Sequence, residues 1–349
     1  MTTWMAPAGD RGLVSIIVPT HNRAELLAQT INSIQSQTYS PIEVVIVDDG
    51  SSDNTAEAVQ RNTRGGSPRI QWQHLRQTNQ GACAARNCGL ESSRGEFIQF
   101  LDSDDGLMPA KLARQVAVMR QRPALDMVYC LTAYDHYLNG KPTGQVDVSG
   151  EHPRDLLAGF VRHSQFPVHA PLWRRAICRA AGPWATELRS SQDWEYGVRC
   201  LLHVRRWEFM NAVLAWARRE KKGSIGGQAD RLQRENGVLA RRLIIENVRR
   251  GQPRPNWQLN QTLLLATLSQ ACECHATGHP DLGEELVREV RCLLGSPIQW
   301  LAAQWFLRAG TALGWRNLNR CRRWLVRGYE RLYYERGEPN PLSAAVDNR

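Results

Sequence analysis

Short apolar runs recur along the first third of the chain, and helical periodicity follows them. Residues 14–19 read VSIIVP, residues 42–47 read IEVVIV and residues 97–101 read FIQFL. Each run is too short for a buried helix and mostly apolar, as a strand covered on both faces would be. Between the first two lies a helical stretch, 24–37, with Leu26, Leu27, Ile31 and Ile34 on one side and Pro41 after it. Asn22 is expected to cap this helix, and Ser52 or Asp53 the next one, near Thr55. A weaker strand follows at 70–75, a helix after 79–81, another at 110–122 behind Pro109, and a strand at 126–131. Strands separated by helices of this length build an α/β fold with a mostly parallel sheet and right-handed crossovers.

Where the runs end, the chain becomes polar. The turns are Thr20-His21-Asn22, Asp48-Asp49-Gly50 and Asp102-Ser103-Asp104-Asp105. In an open α/β sheet they share the carboxyl edge, where ligands bind. Three carboxylates in one turn repel one another unless a positive charge sits among them. A divalent cation bridging carboxylate and phosphate oxygens would relieve that repulsion. Alone, such a string is also an acidic turn in solvent. There is no G-x-G-x-x-G and no Walker A loop, so a phosphate-cradling glycine loop is not expected.

Formal net charge is +10, which favours polyanionic partners such as phosphates or an anionic membrane face. A nucleic-acid partner is not expected, because no recognised nucleic-acid module accompanies the charge. The nine cysteines contain no C-x-x-C pair, which suggests reduced thiols in the cytoplasm. Cys272-Glu273-Cys274-His275 lacks a second ligand pair and reads as buried helix cysteines. No secretory h-region and no apolar run long enough to span a bilayer is apparent. Residues 229–349 read as a helical, basic C-terminal region after the α/β domain over 1–228. Within it, 299–336 mixes Trp300, Trp305, Trp315 and Trp324 with many arginines. That composition suits peripheral contact with an anionic lipid surface, here the inner face of the membrane, or a solvated basic face on packed helices.

The pieces VSIIVPTHNR, VVIVDDGSSDNT, NQGACAARNCG, FLDSDD and Ser191-Gln192-Asp193-Trp194-Glu195 stand in order at fitting spacings. Together they resemble family 2 glycosyltransferases of the GT-A fold, over residues 14–224. The resemblance implies an inverting transfer of a sugar from a nucleotide-sugar donor, UDP-linked by preference, to a hydroxyl of a glycan or lipid-linked acceptor, in surface glycan or polysaccharide synthesis. It implies that Pro19, Thr20, Asp48, Asp49, Gly81, Arg86, Asp102 and Ser103 bind the nucleotide sugar. It further implies that Asp102 and Asp104 hold Mg²⁺ or Mn²⁺, that Asp105 supports the cluster and that Asp193 is the general base, with Glu195 its competitor. Two positions depart from the family. His21 stands where Tyr is frequent, and Arg218-Arg219-Glu220-Lys221-Lys222 lacks the His that often completes the metal site. Other readings of the same residues are a nucleotidyltransferase and a catalytically silent nucleotide- or glycan-binding protein.

Overall fold

The computed structural model describes residues 9–64, 68–150, 155–221, 227–251 and 256–290. The stretch 299–336 lies outside them. In chain order the elements are β1 (Asp10–Thr20), α1 (Ala24–Gln35), β2 (Ile42–Asp48), α2 (Thr55–Thr63), β3 (Ile70–Arg76), α3 (Ala82–Ser92), β4 (Gly95–Phe100), β5 (Gly106–Leu107) and α4 (Lys111–Gln121). There follow β6 (Met127–Leu138), β7 (Lys141–Ser149), α5 (Leu156–Arg162), β8 (Leu172–Arg174), α6 (Arg175–Ala181), α7 (Gln192–Leu201), β9 (Trp207–Lys221), α8 (Gly227–Gly251), α9 (Trp257–Ala276) and α10 (Pro280–Val290).

One mixed sheet runs in the order β3-β2-β1-β4-β8-β6-β9-β5, and β7 pairs with β6 off this path. Its first four strands are parallel, as expected from the βα repeats. The antiparallel neighbours β5, β7 and β8 and the long strand β9 are additions that the sequence reading lacked. β8 has three residues, too few to show a period. The outer part of β6 alternates buried and half-buried residues, the mark of a sheet covered on one face.

The apolar runs are continuous because helices cover both faces of the parallel half. Val14, Ile16, Val18, Val44 and Ile46 share a cluster with Leu27, Ile31 and Ile34 of α1 and Leu112, Val116 and Met119 of α4. Val45 and Val47 face the other way and pack with Ala85 of α3. There Gly89 lets α3 approach the sheet, for a β-carbon would meet Ile17 Cγ2 at 2.5 Å.

Asn22 does not cap α1. It adopts φ +51°, and its Oδ1 accepts from the amides of Ser52 (2.8 Å) and Asp53 (3.3 Å). The first amides of α1 are instead taken by the next loop, with Arg23 N donating to Thr55 Oγ1 and Ala24 N to Asp53 Oδ2. The two polar turns therefore satisfy each other's backbone, which levels the ends of β1 and β2.

The chain divides into two compact units, 1–259 and 260–349, and α8 belongs to the first. In the second, Leu263, Ala271, Cys272, Cys274, Leu286 and Val287 are buried, so the Cys-Glu-Cys-His stretch supplies core cysteines. Among the described residues no helix is long and apolar enough to cross a membrane.

Candidate functional site

Register sets Thr20 opposite Asp48 at the carboxyl ends of β1 and β2. Both are buried, as is Pro19 before them. Among the described residues Thr20 Oγ1 and Asp48 Oδ2 have no hydrogen-bond partner, Asp48 Oδ2 lying 3.8 Å from Arg76 Nε, while Asp48 Oδ1 accepts from Ser51 N (2.8 Å). A buried polar atom without a partner costs free energy, so two side by side mark a place that a polar ligand completes. Asp49 is different. Its carboxylate accepts from Gln77 Nε2 (2.7 Å), Gln80 N (2.9 Å) and Gly81 N (2.7 Å), which ties the loop after β3 to the end of β2. Gly81 holds φ +92°, and a β-carbon there would press on Arg189. His21 is exposed, beside the amide of Asn79.

The acidic turn follows β4. Asp102 pairs with Arg86 of α3 at 2.7 Å. The guanidinium of Arg86, itself buried, also donates to Gln192 Oε1 (2.8 Å) and lies 4.6 Å over the ring of Trp184. Trp184 stacks on Tyr196 of α7 with centroids 3.9 Å apart. Arg86 thus joins the acidic turn to the N-terminus of α7. Ser103 is buried. Burial, then the charges of Asp105 and Asp102, push the Asp104 carboxyl up to about 6. Asp105 is buried and structural: Oδ1 accepts from Arg218 N (3.0 Å), and its carbonyl accepts from Thr30 Oγ1 (2.7 Å). His169 Nδ1 lies 3.0 Å from Asp105 Oδ2 without forming a hydrogen bond. Next to it the Trp216 ring covers Gly106, whose β-carbon would fall 2.3 Å from that ring.

Asp193 sits in the first turn of α7, its Oδ1 accepting from Trp194 N (2.9 Å). Burial and then Asp102 raise its carboxyl above the ordinary range, against the pull of Arg86. The edge of the side chain still reaches the surface. Glu195 is 1% exposed and grips Arg199 with both oxygens (2.6 and 2.9 Å), with Asn247 Nδ2 adding a third bond at 3.2 Å. Of the two carboxylates in this motif, Asp193 has the less occupied one. Trp194 faces inward, its Nε1 donating to Phe160 O (2.6 Å) and its ring under Arg241 at 4.4 Å. It is a core aromatic rather than a sugar platform.

A divalent cation fits the acidic turn by donor chemistry. Asp102 and Asp104 offer hard oxygen ligands in one turn beside a third carboxylate, Asp105. Mg²⁺ and Mn²⁺ sites of this kind need one or two carboxylates and complete themselves with substrate phosphates. Among the described residues no group of three or more His, Cys, Asp or Glu could hold a metal unaided. Arg218 and Arg219, where a histidine ligand was sought, stack on Tyr137 and Tyr134 at 3.6 and 3.7 Å. The sequence reading missed the roles of His169, Trp184 and Asn247, lone residues with no spacing to mark them.

Residues 15–168 match the model of Glycosyl transferase family 2. An uncharacterized glycosyltransferase of Nostoc is 34% identical over 148 residues, 42% of this chain and 45% of the relative. A GalNAc(5)-diNAcBac-PP-undecaprenol beta-1,3-glucosyltransferase of Campylobacter jejuni is 41% identical over 100 residues, 29% of this chain and 32% of the relative. The chain spans less than half the length of the first curated relatives it matches. Among solved structures, S. aureus TarS 1-349 in complex with UDP-GlcNAc superposes with a TM-score of 0.63 at 18% identity, over 90% of this chain and 92% of that one. The mannosyltransferase PcManGT of Pyrobaculum calidifontis, in complex with GDP-Man and Mn²⁺, gives 0.51 at 19%, over 95% and 92%. At such identities the likeness is one of fold. Edge geometry, matched segment and fold agree: residues 15–168 of this chain belong to glycosyl transferase family 2, on a GT-A fold.

Proposed function

We propose that the protein is an inverting glycosyltransferase that moves a sugar from a nucleoside-diphosphate donor to an acceptor hydroxyl. The observation that carries this reading is the bridge made by Arg86, which bonds to Asp102 on the donor side and to Gln192, beside Asp193, on the other. Donor loop and candidate base then form one unit. A UDP-sugar is the favoured donor, supported by the fold shared with TarS, which binds UDP-GlcNAc. The acceptor is a glycan or a lipid-linked sugar, as the name of the Campylobacter relative suggests, in surface polysaccharide synthesis. The setting is cytoplasmic, with peripheral contact at the inner membrane face through 299–336.

In this reading Pro19, Thr20, Asp48 and Asp49 form the nucleoside end of the pocket. Thr20 Oγ1 and Asp48 Oδ2 supply unspent hydrogen-bonding capacity, and Gly81, Arg86 and Ser103 flank the diphosphate. Asp102 and Asp104 would hold Mg²⁺ or Mn²⁺, which offsets charge on the leaving phosphates when bound. Arg86 keeps Asp102 in place and adds a fixed positive charge. Asp193 Oδ2 accepts the proton of the acceptor hydroxyl, which is too weak a nucleophile at neutral pH without a base. Attack from the side opposite the leaving group inverts the anomeric carbon.

The test is release of nucleoside diphosphate from UDP-glucose, UDP-N-acetylglucosamine and their GDP analogues, with Mn²⁺ present. A nucleotidyltransferase would instead release pyrophosphate from a nucleoside triphosphate and a sugar 1-phosphate, and that activity without diphosphate release from any nucleotide sugar would overturn the reading. Asp104→Ala is expected to abolish Mn²⁺-dependent binding of UDP in calorimetry. Retention of wild-type, metal-stimulated affinity would remove Asp104 from the ligand set.

A further inference from the structure

The first turn of α7 has no side-chain cap of its own, and the residue before it, Ser191, holds the left-handed conformation at φ +59°. Such a backbone in a non-glycine residue persists where the surroundings fix it. The fixing comes from α8, beyond the residues that match the family. Asn236, 7% exposed, turns its Oδ1 onto the amides of Arg189 (2.6 Å) and Ser190 (3.3 Å), immediately before the strained residue. Its Nδ2 donates to Leu232 O (2.9 Å), which fixes the amide group the right way round. Two more residues of α8 grip the same segment. Arg241 lies over Trp194 and donates to Val161 O and Arg162 O, and Asn247 bonds to Glu195. In the sequence Asp193 lies between the residues these contacts hold, after Ser190 and before Trp194 and Glu195.

Resting on the transferase reading above, we propose that Asn236 is a positioning residue for Asp193. By holding the amides of 189 and 190 it fixes the left-handed turn at Ser191, and with it the direction of the base. The contribution is to orientation, and an error of about 1 Å in such a group is enough to cost on the order of 100-fold in rate. Donor affinity should not feel it, because the nucleoside end and the acidic turn are built on β1, β2 and β4.

The experiment compares the full-length protein with Asn236→Ala and Asn236→Asp by amide hydrogen exchange and by UDP release from UDP-N-acetylglucosamine with Mn²⁺. Asn236→Ala is expected to speed exchange in peptides covering 189–195 at least tenfold, with peptides of β1 and β2 unchanged. It should lower kcat about tenfold to 100-fold and leave the donor KM within a factor of two. Asn236→Asp keeps an oxygen for the two amides and should restore most of the protection and of kcat. Unchanged exchange at 189–195 in Asn236→Ala overturns the proposal, as does faster exchange with unchanged kcat. If the wild type releases no UDP from any donor but 189–195 still loosens in Asn236→Ala and recovers in Asn236→Asp, the anchoring of this turn stands and the transferase reading falls.

Discussion

Asp193 carries the sharpest prediction at the scale of single residues. Asp193→Asn keeps size and removes basicity, so kcat should fall by about 10²–10⁴-fold with the donor KM unchanged. The ionised form is the active one, and its carboxyl is raised by burial and by Asp102. The acid limb of kcat against pH should therefore lie above the ordinary aspartate value, and a limb at that value would contradict this assignment. Asp49 shows how far such residues were legible in the sequence. The Asp-Asp-Gly string read only as part of a nucleotide-sugar site. The structure gives the Asp49 carboxylate three donors from one loop. Asp49→Ala should then cost stability as well as any affinity. No residue spacing could have announced those partners, because Gln77 and Gln80 reach Asp49 only through the parallel pairing of β2 and β3.

Elements were legible where both faces are buried and opaque where they are short or one-sided. The strands at 14–19, 42–47 and 97–101 were found because continuous burial demands apolar runs. β8 was missed, and so was β9, because its pairing with β6 is set by distant chain. α7 is held by its Glu195–Arg199 pair, in which Arg199 also bonds to Ala181 O and Pro183 O. Removing one member of a buried pair strands the other, at about 3–5 kcal/mol. Glu195→Ala should therefore lower the urea midpoint, and Glu195→Gln should leave kcat far closer to wild type than Asp193→Asn does. If Glu195→Gln is the dead enzyme, the base is misassigned. α4 offers a second test. Lys111 is fully buried and donates to Gln99 and Gln115 Oε1, with no anion to pair it among the described residues. Burial lowers its ammonium from 10.5 to about 8. The folded protein thus releases this proton first, and between about pH 8 and 10.5 the unfolded chain binds more protons. Stability from this group rises with pH across that window, by about 3 kcal/mol. Urea titrations should show the rise in wild type and lose it in Lys111→Met.

For the whole molecule, the net charge of +10 makes a salt-dependent prediction. Binding to phosphatidylglycerol vesicles should be measurable by sedimentation at low salt and largely gone near 1 M, where charges are screened within about 3 Å. No binding at low salt would argue against the peripheral reading of 299–336. A different consequence follows from how Asp48, Asp49 and Thr20 divide their work. Asp49 is committed to the architecture, so a descendant of this chain that had abandoned its donor would still need it in order to fold. Thr20 Oγ1 has no such second employment, whereas Asp48 also receives Ser51 N and faces Arg76. In a lineage drifting away from catalysis, Thr20 should be replaced first, while the Asp-Asp-Gly of the motif survives as a relic of folding.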